Sequence, residues 1–174
     1  MFRLAQEKDL DAIAQIYSDI HDQEESHEVT IGWVRSIYPT RDTAVSALKK
    51  KDLYVEEIEG QIVASARINK EEVPEYKDAR WKHEAEPEKI MVLHTLTVSP
   101  RYPHRGYGRA FVAFYEEFAR ENGCIELRMD TNAVNLRARE LYKKLGYEEV
   151  DIVPCDFNGI KGISLVCLEK YIGQ

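Results

Sequence analysis

Three arginines stand close together in an otherwise acidic chain: Arg101, Arg105 and Arg109, with no aspartate or glutamate from Ser99 to Tyr115. Two of them sit in His104-Arg105-Gly106-Tyr107-Gly108-Arg109-Ala110, between an apolar run ending at Val98 and a helical pattern beginning near Arg109. A strand, a glycine-bearing loop and a helix in that order suit an anion, because the first N–H groups of a helix lack internal partners and carry the positive end of its dipole. Two glycines let the backbone approach a ligand that a Cβ would hold off. The chemistry expected is phosphate binding. The pattern lacks the Gly-Lys-Ser/Thr end of a P-loop, and Phe111 stands where G-x-G-x-x-G needs its third glycine.

A second group lies further on. Asn135, Ala138, Arg139 and Tyr142 fall at i, i+3, i+4 and i+7, so a helix places them on one face. Tyr142 could pack with Leu141 and Leu145, yet a packing face has little use for Asn135.

The elements that must position these groups follow from periodicity. Phe2 to Ala5 reads as a strand, and Asp9 caps a helix with Leu10, Ile13, Ile16 or Tyr17 and Ile20 at helical spacing, fading at Asp22. A second helix after Pro39-Thr40 turns Ala44, Val45 and Leu48 inward. Residues 52–59 and 61–68 form a hairpin about Glu59-Gly60. Lys70 to Lys89, with Pro74 and Pro87, reads as a long loop with a helical turn near Trp81, and Tyr76 and Trp81 as its anchors. Ile90 to Val98 is apolar enough for a strand buried on both faces, where alternation groups Val92, His94, Leu96 and Val98 on one face. Phe111, Phe114 or Tyr115 and Phe118 stripe the next helix, which ends at Asn122-Gly123. A strand over 124–129 then pairs parallel with the central one. Asp130-Thr131-Asn132 opens a last helix, and Asn158-Gly159 joins two closing strands.

The chain has 174 residues, 44% hydrophobic and 32% charged, with a net charge of −7. That length and composition suit one globular domain over residues 1–174. The acidic balance argues against nucleic acid and anionic membrane, and makes the arginine cluster a local exception. Cys124, Cys155 and Cys167 form no C-x-x-C pair, which fits buried thiols in a reducing cytoplasm. No signal-peptide core follows Met1, and no apolar run approaches the roughly 20 residues of a membrane span. His21 and His27 lack tight ligand spacing, so no metal is expected.

Together these residues resemble the GNAT superfamily of acyl-CoA-dependent N-acetyltransferases. The family's loop pattern is met by Arg105-Gly106-Tyr107-Gly108-Arg109-Ala110, and its later Asn-x-x-Ala-x-x-Leu-Tyr, then Gly and an aromatic, by Asn135, Ala138, Leu141, Tyr142, Gly146 and Tyr147. The resemblance implies an α/β fold: a mixed, mostly antiparallel sheet of about six to seven strands with about four helices and splayed parallel central strands. It implies that acetyl-CoA is the cosubstrate, with its pyrophosphate on the loop amides of Arg105, Gly106, Tyr107, Gly108, Arg109 and Ala110. The pantetheine arm would pair with the strand edge at Leu96, Thr97 and Val98, and Asn135, Ala138 and Arg139 would complete the cofactor site.

An amine then attacks the acetyl carbonyl directly. His94 is the expected base, with a water chain as the alternative, Tyr142 the expected proton donor to the departing thiolate, and a backbone N–H near Leu96 or Thr97 the oxyanion partner. Asn135 could equally cap its helix. The acceptor, expected to be a small-molecule amine, falls to residues 19–38, 70–89 and 155–162. A protein side chain or N-terminus, or a non-catalytic acyl-CoA sensor, are the competing readings, and a monomer or homodimer the expected assembly.

Overall fold

The computed structural model describes residues 1–173 and is built on one seven-stranded sheet in the order β1-β2-β3-β4-β5-β7-β6. The strands are β1 Phe2–Leu4, β2 Leu53–Ile58, β3 Gln61–Asn69, β4 Ile90–Val98, β5 Glu126–Asn132, β6 Glu148–Phe157 and β7 Ile160–Tyr171. Four helices accompany them: α1 Leu10–Glu25, α2 Arg41–Lys50, α3 Tyr107–Glu121 and α4 Leu136–Lys144. All neighbouring strands are antiparallel except β4 and β5. Both hairpin turns predicted from the sequence are present, each with two residues at positive φ, Glu59-Gly60 and Asn158-Gly159.

The sheet is covered on both faces, which explains the apolar run of β4. Met91 and Leu93 pack with Phe111 and Tyr115 of α3, and Tyr142 joins them from α4. On the opposite face Leu53 and Val55 meet Ile13 and Tyr17 of α1 and Ala44 and Ala47 of α2. Ala47 is buried, rather than the expected Val45 and Leu48, which pack only partly. Further along that face Ile90 and Val92 meet Tyr76 from the segment between β3 and β4. Burying an aliphatic side chain of this size stabilises by about 1.5–3 kcal/mol, so these contacts fix which way each strand faces.

Several local expectations change. The helical pattern does not fade at Asp22; α1 runs to Glu25 because its polar end is held from outside. Arg35 binds Asp22 and Glu25, and Glu24 accepts from the N–H groups of Ile31 at 2.6 Å and Gly32 at 3.0 Å. The turns in the 70–89 segment are 3-10 turns at Pro74–Asp78 and Pro87–Lys89, each opened by its proline, not a turn at Trp81. Trp81 does anchor it, donating from Nε1 to the Tyr76 carbonyl at 2.9 Å. Asp130-Thr131-Asn132 is the end of β5, not a helix start, because β7 continues to pair with it as far as Asn132↔Leu165. The helix start lies at Asn135, whose Oδ1 accepts from Ala138 N–H at 3.2 Å.

Candidate active site

β4 and β5 part in the middle of the sheet. Their parallel pairing runs from Ile90↔Glu126 to Leu93↔Met129 and stops there. Just before the divergence the Tyr115 hydroxyl of α3 donates to the Met91 carbonyl at 2.6 Å and lies 3.2 Å from that of Arg128, so one helix residue bridges both strands. Beyond it, β5 stays with β7 while β4 stays with β3. The two strands therefore present free backbone edges to a cleft of about 1030 Å³, where a strand-like ligand can add.

A bulge changes which groups line the cleft. Ser65 pairs with Thr97 and Arg67 with His94, so β4 spends one more residue than β3 over this span. Thr95 takes φ +53, and an extra residue of this kind reverses the alternation after it. The expectation that His94 shares a face with Leu96 and Val98 is thus corrected. Leu96 and Val98 pack with the α3 side. His94 stays with Val92, and the buried Thr97 hydroxyl points to the same side, 2.9 Å from that of Ser65.

His94 is held in a defined state. Asp52 can only accept from Asn69 Nδ2, at 2.7 Å, and Glu71 N–H can only donate to Asn69 Oδ1, at 3.0 Å. The amide orientation is therefore fixed, and His94 Nε2 must donate to that same Oδ1 at 2.9 Å. The ring is neutral with Nδ1 unprotonated. Burial, reinforced by the Arg67 guanidinium, pushes its pKa down to about 4.

On the opposite arm of the cleft stands Asp130, the first residue of β5 after its last pair with β4. Its Oδ2 accepts from the Tyr76 hydroxyl at 2.6 Å. Burial pushes its pKa up to about 6 despite that bond, with Glu75 adding to the rise. Tyr38, whose hydroxyl bonds Thr95, is pushed up to about 12 by burial. Trp33 meets Tyr38 edge to face, with ring centroids 6.0 Å apart. Ile31, Val73 and the hairpin tip at Phe157-Asn158 complete this wall. In the sequence Asp130-Thr131-Asn132 reads as a helix start, which hides Asp130. Its signal was a carboxylate at the carboxyl end of the strand where parallel pairing ends, a common ligand position in α/β sheets.

The loop before α3 takes the strand–turn–helix conformation expected of it. Gly106 takes φ +77 as N-cap of α3, and no side chain fills the cap, leaving the Tyr107, Gly108 and Arg109 N–H groups open to a ligand. Arg105 and Arg109 are exposed at the cleft, but Arg101 is not free, since its Nε donates to Asp19 at 2.6 Å. Ala110 closes the first turn by donating to the Gly106 carbonyl at 3.0 Å.

α4 presents Asn135, Ala138 and Tyr142 to the cleft, with Arg137 beside them. Burial raises the Tyr142 phenol above its ordinary pKa, so it carries its proton at neutral pH. Arg139 is not brought to the cleft. Its guanidinium binds both Glu149 oxygens, at 2.7 and 2.9 Å, and the Ala133 carbonyl at 3.0 Å, so it braces α4 against β6. The other carboxylates near the acceptor wall are mostly committed too, to Arg35, Arg101 and the 31–32 backbone.

The sequence matches the Acetyltransferase (GNAT) family over residues 10–147. The chain belongs to this family. The split between β4 and β5, with the loop before α3, is the opening in this GNAT chain to which a ligand can be assigned. A Methanocaldococcus jannaschii N-acetyltransferase is 30% identical over 76 residues, which cover 44% of this chain and 34% of that protein. This chain thus matches about a third of the archaeal relative's length. An aminoglycoside N(6')-acetyltransferase type 1 of Stenotrophomonas maltophilia is 24% identical over 121 residues, covering 67% of this chain and 76% of that one. A Salmonella typhimurium structure containing its cofactor acetyl-CoA has the same fold, with a TM-score of 0.70, 16% identity, and coverage of 100% of this chain and 94% of the other. Among the described residues of this GNAT chain no helix is long and apolar enough to cross a membrane.

Proposed function

We propose that this protein moves an acetyl group from acetyl-CoA to the amine of a cationic small molecule, of which an aminated sugar is the type suggested by the aminoglycoside-acetylating relatives. The observation that carries this reading is Asp130, a half-buried carboxylate between aromatic walls on the arm of the cleft opposite the strand edge that would carry the donor. The open N–H groups of Tyr107, Gly108 and Arg109 hold the pyrophosphate, with the Arg105 and Arg109 guanidinium groups beside it, while the Ala110 N–H, expected to share in this, is taken by the Gly106 carbonyl. The pantetheine arm adds to the free edge at Leu96, Thr97 and Val98, with Asn135 and Ala138 along its other side.

The amine nitrogen attacks the thioester carbonyl carbon, and Asp130 takes the proton that nitrogen gives up. The tetrahedral intermediate collapses, the C–S bond breaks, and Tyr142 gives its proton to the thiolate. A thiol with a pKa near 8.5 leaves readily, so this donation assists without being indispensable. The expected base was His94, and its bare Nδ1 can accept. A base near 6, however, takes the same proton at about 3 kcal/mol less cost than one near 4, which favours Asp130.

Thiol release from acetyl-CoA with a panel of amino sugars, linear polyamines and peptide N-termini tests the reading. Turnover is expected with the amino sugars or polyamines at least tenfold above the peptides. A preference for peptides would reassign the acceptor. Tight acetyl-CoA binding with no release for any amine would make the protein an acyl-CoA sensor.

A further inference from the structure

A second group of chemically capable residues lies away from the cleft, where the 70–89 segment crosses the far ends of β5 and β7. Glu126 opens β5, Glu169 lies near the end of β7, and His83 comes from the covering segment; among the described residues their donor atoms all lie within 4.8 Å of one another. None of the three lines the cleft. The sequence does not announce them, since each stands 43 positions from the next and no ligand spacing results.

The burial is unusual for such groups. Glu126 is 0% exposed and Glu169 2%. Glu169 is partly satisfied, Oε1 accepting from Lys82 N–H at 2.8 Å and Oε2 from His83 N–H at 3.4 Å. Both Glu126 oxygens and His83 Nδ1 are buried without a hydrogen-bond partner among the described residues. Unpartnered buried polar atoms are costly, and three converging on one point need a common partner.

Arg128 is the nearest cation and does not supply one. Its Nε is 3.7 Å from Glu126 Oε1 and unpaired. Nη1 binds Glu72 at 2.6 Å, Nη2 donates to the His83 carbonyl at 2.8 Å, and the guanidinium lies 4.2 Å from the centre of the Trp81 ring. Glu72 thus offsets Arg128, so Glu126 and Glu169 have no cation of their own, and burial beside the Glu169 carboxylate pushes the Glu126 carboxyl well above the usual carboxylate range, so that a metal would enter in place of its proton. Lys82 is turned to Glu148.

We propose that His83, Glu126 and Glu169 form a structural divalent-metal site, with Zn²⁺ as the fitting ion, that fastens the 70–89 segment to β5 and β7. One imidazole and two carboxylates form a nitrogen and oxygen donor set of the kind zinc accepts, with water completing four-coordination. Calcium and magnesium favour all-oxygen shells and gain little from the imidazole. Zinc bonds of about 2.0–2.2 Å place tetrahedral donors about 3.4 Å apart; His83 Nδ1 and Glu169 Oε1 already stand at 3.5 Å, and the wider of the remaining separations, none above 4.8 Å, must close by at most about 1.4 Å. The His83 ring, 42% exposed and stacked on Tyr171 with centroids 4.9 Å apart, can turn toward Glu126 by sliding over that ring.

The test is Zn²⁺ titration of the full chain after chelator treatment and dialysis, with acetyl transfer followed in parallel. One Zn²⁺ per chain is expected at micromolar Kd or tighter, with the melting temperature raised by roughly 5–10 °C at free Zn²⁺ about a hundred times Kd. His83→Gln, at a half-exposed position, and Glu126→Gln should each weaken binding at least tenfold, with turnover unchanged. X-ray absorption of the zinc-loaded protein should show nitrogen and oxygen neighbours only, including an imidazole. Absence of stoichiometric binding, equal affinity in both variants, or a sulfur neighbour would overturn the proposal.

Discussion

At the phosphate end of the proposed donor side the ligand-facing groups come from one continuous stretch, residues 104–109, and most of them are backbone N–H groups at a helix start. On the acceptor side they come from the loop after α1, the end of β5, the segment after β3 and the tip of the last hairpin, and they are side chains. The first arrangement needs only local conformation, a strand end, a glycine at φ +77 and a helix. The second exists only once the whole sheet has formed. A superfamily can therefore keep one donor loop while varying the acceptor, because changing four separate segments leaves the phosphate cradle untouched.

The same division sorts the chemistry by sheet face. Leu96, Val98 and Tyr142 belong to the α3–α4 side. His94 and Asp130 belong to the opposite side, which Val92 and Tyr76 also share. In the proposed reaction the gap between β4 and β5 is a window, with the donor reaching it from one face and the amine from the other. The bulge at Thr95 produces this separation, since an unbroken β4 would put His94 on the donor's side.

Asp130→Asn gives the largest expected effect and would break the comparison if the acceptor side holds no base. General base loss costs about 10²–10⁴-fold, so kcat should fall by that much with the KM for acetyl-CoA unchanged. In the wild-type chain Asp130 must be ionised to accept a proton, so kcat should decline as pH falls through about 6, and the variant should lose that limb. Stability should move the opposite way. A carboxyl group whose pKa is raised by folding binds its proton more tightly in the native state, so it costs stability above about 6 and not below the unfolded value of 3.8. The variant removes a penalty on the order of 3 kcal/mol at neutral pH and should melt higher. A turnover loss with a lowered melting temperature would instead mean that Asp130 only supports the fold.

How much of this was legible follows the same line. The strand–loop–helix around Gly106 and the helix face of Asn135 and Tyr142 could be read because their spacing is local and their conformation is set by neighbours. Arg139 was misread since spacing gives a helix face without its partners, and Glu149, on the next strand, claims the guanidinium. Arg101 failed likewise, taken by Asp19 from the far end of the sequence. His94 was placed on the wrong face because a one-residue bulge leaves no compositional mark. Asp130 was hidden by a boundary error of a few residues, since Asp-Thr-Asn resembles a helix start in sequence while β7 pairing keeps it extended.

Gly108→Trp probes the donor half alone. A Cβ at this position would meet Leu141 Cδ2 at 3.5 Å and Val98 Cγ2 at 3.7 Å, ordinary contacts that the protein tolerates. The indole beyond it would occupy the space facing the phosphate. The KM for acetyl-CoA should rise about tenfold or more, with kcat at saturating donor within about threefold of wild type, because the variant removes binding shared by ground and transition states. An unchanged KM would remove the pyrophosphate from this loop.

His94→Gln should be the mildest of these changes, and it sharpens the comparison by asking what the second titratable group on the acceptor side does. A histidine held at about 4 is already neutral throughout the range in which an amine acceptor reacts, so its replacement by a neutral amide alters no charge. Glutamine can still donate to Asn69 Oδ1, preserving the fixed amide that runs on to Asp52 and Arg67. What is lost is the bare Nδ1 and some ring volume in the cleft wall. If His94 positions and Asp130 accepts, kcat falls by less than about threefold and the limb near 6 remains. A fall of about a hundredfold or more with that limb abolished would return the proton to the imidazole, at a magnitude general base loss predicts. Asp130 would then serve to hold the acceptor's charge, a difference that the KM for the amine in Asp130→Asn would register.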